Sequence, residues 1–281
     1  MTATHALRER SRRSSIALHL TVIAACLCAV IPIAWVLYVS LRGPDGWKDP
    51  ASFDGGLSLT NFRYVVADTA FPRWFLNSVI VAGLTTVIAV LISASAGYAA
   101  SRLRFPGRAP LMWLFLVTQM FPIAVLIVPL YTTFSTLGLI DSALGLVLAY
   151  CSTAVPLCAW LMKGYFDTIP TEIDEAGMVD GLTPFGTFFR LVLPLARPGL
   201  AVAGFYAFIT AWGEVAFATA FLSSDKQKTL ATGLQGFVGQ HTSEWGALTA
   251  ASVLIAIPAA AVFFYAQRHL VTGLTAGGTK G

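Results

Sequence analysis

Apolar runs long enough to cross a lipid core alternate along the chain with shorter polar segments. The runs cover residues 16–41, 78–100, 110–131, 143–162, 199–222 and 247–266. A bilayer core about 30 Å thick needs roughly 20 apolar residues per helix, since every backbone polar group must be bonded within the segment. The predicted fold is therefore all-α and integral to a membrane, with six transmembrane helices. An N-terminal tail covers 1–15, a first transmembrane helix 16–41 and an outer loop 42–77. A five-helix core follows over 78–270, carrying a loop at 163–198, and a tail occupies 271–281. Pro32, Pro122, Pro129, Pro156 and Pro258 lie inside the runs, where they predict kinks whose freed carbonyls neighbouring helices satisfy.

Composition supports a membrane as the solvent, because only 11% of the residues are charged against about a quarter in soluble domains. The net charge of +4 does not point to nucleic acid, since its cations cluster at the ends of apolar runs, where they set orientation. The first, third, fifth and seventh polar segments hold most of them: Arg8, Arg10, Arg12 and Arg13; Arg102, Arg104 and Arg108; Lys163, Arg190 and Arg197; Arg268 and Lys280. This bias predicts that both termini are cytoplasmic. The amino end resembles a secretory signal, and Ile23-Ala24-Ala25-Cys26 resembles a lipoprotein box. The apolar run is too long for either, so a retained anchor is expected. Cys26, Cys28, Cys151 and Cys158 all lie in apolar stretches without metal-site spacing, which predicts a packing role.

The loop at 163–198 carries more local signals than a connector needs. Thr171 is placed to cap a short helix, Asp174 takes the capping-box position, and Gly181 supplies a stop. Thr183 and Pro184 then start a second helix, in which Phe185, Phe188, Phe189 and Val192 follow at i, i+3, i+4 and i+7 as one apolar stripe. Lipid headgroups, the transmembrane bundle or a separate protein are the three ways to cover it, and periodicity leaves them open.

Within this loop, Glu175-Ala176-Gly177, three residues, Gly181, nine residues and Leu191-Val192-Leu193-Pro194 resemble the signature of binding-protein-dependent ABC importer permeases. That pattern is Glu-Ala-Ala, three residues, Gly, nine residues and Ile-x-Leu-Pro, so Gly177 and Leu191 depart from it. Arg104-Phe105-Pro106-Gly107, Gln119-Met120-Phe121-Pro122, Lys163-Gly164-Tyr165-Phe166, Ala266-Gln267-Arg268 and Gly273-Leu274-Thr275-Ala276-Gly277-Gly278 are similar to the permease subunit of maltose and maltodextrin importers, the MalG type. Permeases for trehalose, glycerol phosphate and other sugars share many of these features.

The resemblance implies a bacterial inner-membrane transport subunit with no catalytic, cofactor-binding or metal-binding residue of its own. It implies four kinds of partner: a second, different permease, two ATPase subunits that bind ATP and Mg, an extracytoplasmic sugar-binding protein, and an oligosaccharide substrate. The sequence has no Gly-x-x-x-x-Gly-Lys-Ser/Thr phosphate loop, so ATP would bind elsewhere. By resemblance, Glu175, Ala176, Gly177, Gly181, Phe185, Phe188, Leu193 and Pro194 form the coupling surface for an ATPase. Gln240, His241, Thr242, Trp245 and Gly246 would belong to a loop that enters the binding protein, with an ordinary solvated connector as the competing reading. Gly278, Thr279, Lys280 and Gly281 would contact the ATPase pair, or simply fray.

Glu214 is the one acid well inside a predicted span, where an ionised carboxylate costs about 3 kcal/mol or more. It is expected to line the path, to gate it, or to be satisfied by a hydrogen bond between helices; Gln119 poses the same choice at lower cost. A secondary transporter driven through Glu214 and a membrane enzyme are the rival classes. Scarce intramembrane charge weighs against the first, and the dispersed His5, His19, His241 and His269 weigh against the second.

Overall fold

The computed structural model describes residues 12–43, 48, 56–238 and 244–277, with side chains described between 15 and 268. Its elements are α1 (Arg12–Ser40), α2 (Thr60–Ala67), α3 (Phe71–Arg102), α4 (Arg108–Thr118), α5 (Ile123–Thr136), α6 (Ala143–Phe166), α7 (Glu172–Val179), α8 (Pro184–Thr187), α9 (Leu193–Leu195), α10 (Arg197–Trp212), α11 (Ala216–Phe221), α12 (Leu230–Gly233) and α13 (Trp245–Gly277). A π-helical turn, Phe188–Val192, joins α8 to α9, and a 3₁₀ turn, Leu234–Phe237, follows α12. Among the described residues, four helices are long and apolar enough to cross a membrane, and two bent helix pairs raise the number of candidate spans to six.

The chain forms two compact units, Met1–Asp68 with Ser243–Val253, and Thr69–Thr242 with Leu254–Gly281. In the first, α1 runs unbroken through the Ile23 to Cys26 box and past Pro32. Its most apolar stretch is wholly uncovered, as suits a helix whose solvent is lipid. The Asn61 amide donates to the carbonyls of Ser40 and Arg42 at 3.1 and 2.6 Å, satisfying orphan acceptors at the end of α1.

In the second unit, α3, α6 and α10 pack through small residues: Ala89, Ala94 and Gly97 on α3, Ala154, Cys158 and Ala159 on α6, Ala203 and Ala207 on α10. A Cβ on Gly97 would lie 2.8 Å from the Lys163 backbone nitrogen. Close backbone approach of this kind drives helix association where lipid removes the hydrophobic incentive. The buried thiols fill the same seams, Cys158 donating to the Ala203 carbonyl at 3.4 Å; Cys26 and Cys28 are exposed.

Several predicted boundaries are corrected. The run at 110–131 is two helices, α4 and α5, bent by 103°. Pro122 lacks the donor a continuous helix needs and disfavours helical backbone at Phe121; Pro32, Pro129, Pro156 and Pro258 all sit inside unbroken helices. The run at 199–222 stops at Trp212, and the bent pair there joins Pro184–Leu195 to Arg197–Trp212 at 79°. Helix α3 begins at Phe71 rather than Ser78, taking in the end of the predicted outer loop, and α13 extends to Gly277 rather than 266.

Residues 223–233, which follow α11, are fastened down. Asn77 donates to the Lys226 and Lys228 carbonyls at 2.9 Å each, the Leu230 amide donates to Ser78 Oγ, and Gly233 sits against the Trp74 ring. The Asp141 carboxylate accepts from the amides of Ser223 and Ser224 at 3.0 Å each. The Ser224 bond is the main cause that holds this carboxyl below its ordinary value of 3.8. Because the folded pKa is depressed, the clamp is fully present above about pH 4 and is lost as pH falls through the folded value. Hydrogen exchange at the Ser223 and Ser224 amides should accelerate as pH drops from about 5 to 2, after correction for the intrinsic rate, and Asp141→Asn should remove that step.

Candidate functional site: the loop between α6 and α10

Helix α6 runs to Phe166, and the chain then folds back through Pro170 into α7. Thr171 does not cap α7: its own backbone is helical (φ −68°, ψ −22°) and its side chain takes no capping bond. Asp174 is correspondingly free of the capping box and turns inward. Its Oδ1 accepts from the Tyr98 hydroxyl at 2.6 Å and its Oδ2 from Arg102 Nε at 2.9 Å. The same guanidinium donates to the carbonyls of Phe166 and Ile169 at 3.1 and 2.9 Å. Arg102 thus ties three things together: the last turn of α3, the Phe166 and Ile169 carbonyls where α6 ends, and the carboxylate of α7.

Both charged side chains are nearly covered, at 10% and 12% exposure, so the pair is charge-assisted and poorly screened. Beside it, Ser101 donates to Asp167 at 2.7 Å, and Lys163 pairs with the other oxygen of Asp167 at 2.5 Å. Sequence reasoning missed this anchor. It read Arg102 as an orientation charge and Asp174 as a cap, and their juxtaposition carries no local signal.

Gly181 has φ +81° with open space where a Cβ would stand, so glycine is required by backbone conformation rather than by crowding. Thr183 caps the next helix as expected, accepting from the Gly186 amide at 3.1 Å, with Pro184 at the first helical position. The expected single stripe is corrected, because the π-helical turn inserts an extra residue into the rotation. Phe188 and Val192 are buried, Phe188 lying 4.6 Å from the Tyr98 ring and 6.2 Å from the Phe166 ring. Phe185 and Phe189 stack on each other at 6.0 Å and stay exposed.

Of the expected coupling residues, Glu175, Ala176, Gly181, Phe185 and Pro194 are exposed, Leu193 is half-buried, and Gly177 and Phe188 are buried within the chain. A Cβ on Gly177 would meet Thr187 Oγ1 at 2.9 Å and the end of Leu191 at 2.8 Å, which accounts for glycine where the family pattern has alanine. Met178 and Val179, which lie outside the sequence motif and the predicted stripe, are exposed apolar groups alongside Phe185 and Phe189.

The other candidates lie elsewhere. Glu214 is buried at the break after α10, and its carboxylate accepts from the amides of Phe217 and Ala218 at 2.9 and 3.2 Å. It opens α11 by satisfying that helix's first donors, and the Tyr150 hydroxyl of α6 donates to the Glu214 backbone carbonyl at 3.4 Å. Gln119 sits exposed at the break between α4 and α5, donating to the Thr153 carbonyl at 3.0 Å. Trp245 is exposed, whereas Gly246 is buried, with Asn61 2.8 Å from where its Cβ would stand. Gly246 is therefore a packing residue and not part of an open loop. Gln240, His241 and Thr242, and Gly278, Thr279, Lys280 and Gly281, lie outside the described residues.

Residues 89–275, which contain this whole loop, match the family model for the binding-protein-dependent transport system inner membrane component. The chain belongs to that family. It is thereby a multi-pass inner-membrane transport subunit and not an enzyme. Among its relatives, the maltodextrin transport system permease protein MdxG of Bacillus subtilis is 38% identical over 82% of this chain and 83% of that protein. The sulfoquinovosyl glycerol transport system permease protein SmoH of Agrobacterium fabrum is 34% identical, over 90% and 89%. The maltose/maltodextrin transport system permease protein MalG of Vibrio vulnificus is 37% identical, over 94% and 95%. Among solved structures, a bacterial ABC transporter involved in alginate import superposes with a TM-score of 0.79 at 21% identity, over 92% of this chain and 98% of that one; this likeness establishes the shared fold.

Proposed function

We propose that the chain is a permease subunit of an ATP-driven carbohydrate importer, paired with a second permease, two ATPase subunits and an extracytoplasmic binding protein. Maltodextrin-type oligosaccharides are the first substrate reading, and the sulfonated glycoside named for one relative is the second. The observation that carries the importer reading is the exposed Phe185–Phe189 pair on a loop that Arg102 and Asp174 bolt to the ends of α3 and α6. A knob rigidly joined to two spanning helices transmits a push, whereas a loosely tethered one absorbs it. In this reading the loop and both termini face the cytoplasm, in line with the cation bias. ATP and Mg reside on the partner subunits, whose closure moves the knob and rocks the helices between inward and outward access.

Purification in mild detergent from the native membrane tests the assignment. An ATPase and a second multi-span protein should accompany the chain, and adding loaded binding protein should raise ATP turnover. Recovery of the chain as a sole species that transports sugar without ATP would refute it.

A further inference from the structure

Where α4 begins and α6 ends, the two helices leave a groove of about 430 Å³ between them. Each wall is one helix face: Arg108, Met112 and Leu116 at i, i+4 and i+8 on α4, against Trp160, Gly164 and Asp167 at i, i+4 and i+7 on α6. Gln119, just past the end of α4, bonds Thr153 of α6, so the helices run in opposite directions and polarity grades along the groove. Arg108, Lys163 and Asp167 lie at one end; Met112, Leu116 and the exposed rings of Trp113 and Trp160 continue from it. Arg108 to Leu116 spans about 12 Å of helix. The acid at the charged end is already committed, since Asp167 accepts from Ser101 through one oxygen and from Lys163 through the other. The arginines are not. Arg108 has one long bond, its Nη1 donating to the Leu103 carbonyl at 3.4 Å. Arg104 stands in a hollow that shares Arg108 and Ala109 with the groove, and bonds nothing among the described residues. Gly164 forms part of the floor, and a Cβ there would meet nothing within 4 Å. Neither crowding nor a left-handed backbone calls for glycine, which weakens a helix relative to alanine; its effect here is to deepen the groove.

Two guanidiniums with donors to spare at the mouth of an apolar trough call for a ligand that is anionic at one end and hydrocarbon at the other. Basic pockets between spanning helices hold anionic lipid headgroups, and tryptophan rings favour the headgroup level. A helix of another protein would have to bring an acid opposite the arginines in register with its apolar face, whereas a phospholipid carries both in one molecule. A zwitterionic headgroup brings its own cation and gains less from the pair. We infer that this groove binds an anionic phospholipid, with its phosphate at Arg104 and Arg108 and one acyl chain laid along α4 past Met112 and Leu116. The site needs only the membrane location of the family. Its leaflet, the cytoplasmic one, rests on the importer reading, in which the turn between α3 and α4 faces the cytoplasm.

The test adds phosphatidylglycerol bearing a photoreactive group on its acyl chain to the complete complex in phosphatidylcholine nanodiscs. Crosslinks should map to residues 108–116 and 160–167, and unlabelled phosphatidylglycerol should compete where added phosphatidylcholine and soluble glycerol phosphate do not. Arg104→Gln with Arg108→Gln should weaken the apparent affinity by roughly thirtyfold, for two cations at a membrane surface. Gly164→Leu fills the floor without altering charge and should block crosslinking on its own. Both variant complexes should assemble and melt within a few degrees of wild type, because the packed seam between α3, α6 and α10 is untouched. Crosslinks that fall only elsewhere, as a groove filled by the second permease would give, would overturn the site, as would undiminished crosslinking in both variants. Equal competition by phosphatidylcholine would remove the preference for an anion, and equal competition by glycerol phosphate would assign the arginines to a free anion; either overturns the proposal. A membrane-impermeant maleimide that reaches Arg104→Cys only from outside sealed cells would overturn the leaflet and the cytoplasmic placement in the importer reading, while the crosslink map judges the site separately.

Discussion

Replacing Arg102 by methionine will release α7 from the ends of α3 and α6, and sugar-stimulated ATP turnover in the assembled complex will fall by more than tenfold. The substitution leaves Asp174 in a site where its side chain is only 12% exposed with no opposite charge, and breaking one side of such a pair costs about 3–5 kcal/mol. It also removes the guanidinium bonds to the Phe166 and Ile169 carbonyls where α6 ends. The cost falls locally, because α3 and α6 retain their packed seam of small residues, so membrane insertion and pairing with the second permease should persist. Hydrogen exchange across residues 172–179 reads the release directly and should rise well above wild type. Tyr98→Phe, which loses one 2.6 Å bond to Asp174 and leaves the ion pair, should have a fraction of the effect. The double substitution Arg102→Met with Asp174→Leu removes the stranded charge together with its partner, and should regain much of the stability. If Arg102→Met leaves both exchange and stimulation unchanged, the anchor transmits nothing.

That anchor illustrates what a linear reading reaches and what it does not. Four spans were legible because hydropathy is a sum over neighbours, and a helix that stays unbroken obeys it. The two bent pairs were not, because their breaks come from backbone geometry that hydropathy ignores: a missing donor at Pro122 in the first, and the turn at Ala196 in the second. The early end of α10 likewise goes with a carboxylate at Glu214 that starts a new helix with its own acceptors. The loop motif was legible through fixed spacing, and Gly181, Thr183 and Pro184 do what their chemistry dictates. Asp174 was misassigned because its partner Arg102 lies 72 residues earlier, and a local capping pattern satisfied the same residue types. Phe188 was placed on the outer stripe because a 3.6-residue period was assumed through a stretch that departs from it. Its true neighbours are Tyr98 and Phe166, so half of the expected docking stripe is the chain's own core.

This division makes the exposed pair, Phe185 and Phe189, separable by experiment from buried Phe188. Phe185 and Phe189 are 75% and 51% exposed, and burying such rings against a partner is worth roughly 1.5–3 kcal/mol each. Phe185→Ser with Phe189→Ser should therefore weaken ATPase attachment by roughly 3–6 kcal/mol, or about two to four orders of magnitude in affinity. The ATPase should be lost during purification while the second permease stays bound, and the chain's own stability should barely change, since little of either ring is covered to begin with. Phe188→Ser should behave in the opposite sense. It removes a buried ring from contact with Tyr98 and Phe166 and costs roughly 3–5 kcal/mol of local stability, so exchange at 172–195 should rise before any loss of partner. Should the exposed pair prove dispensable for retaining the ATPase, with Phe188 the sensitive position, the motor must grip another face of the loop, and the knob assigned to Phe185 and Phe189 is wrong.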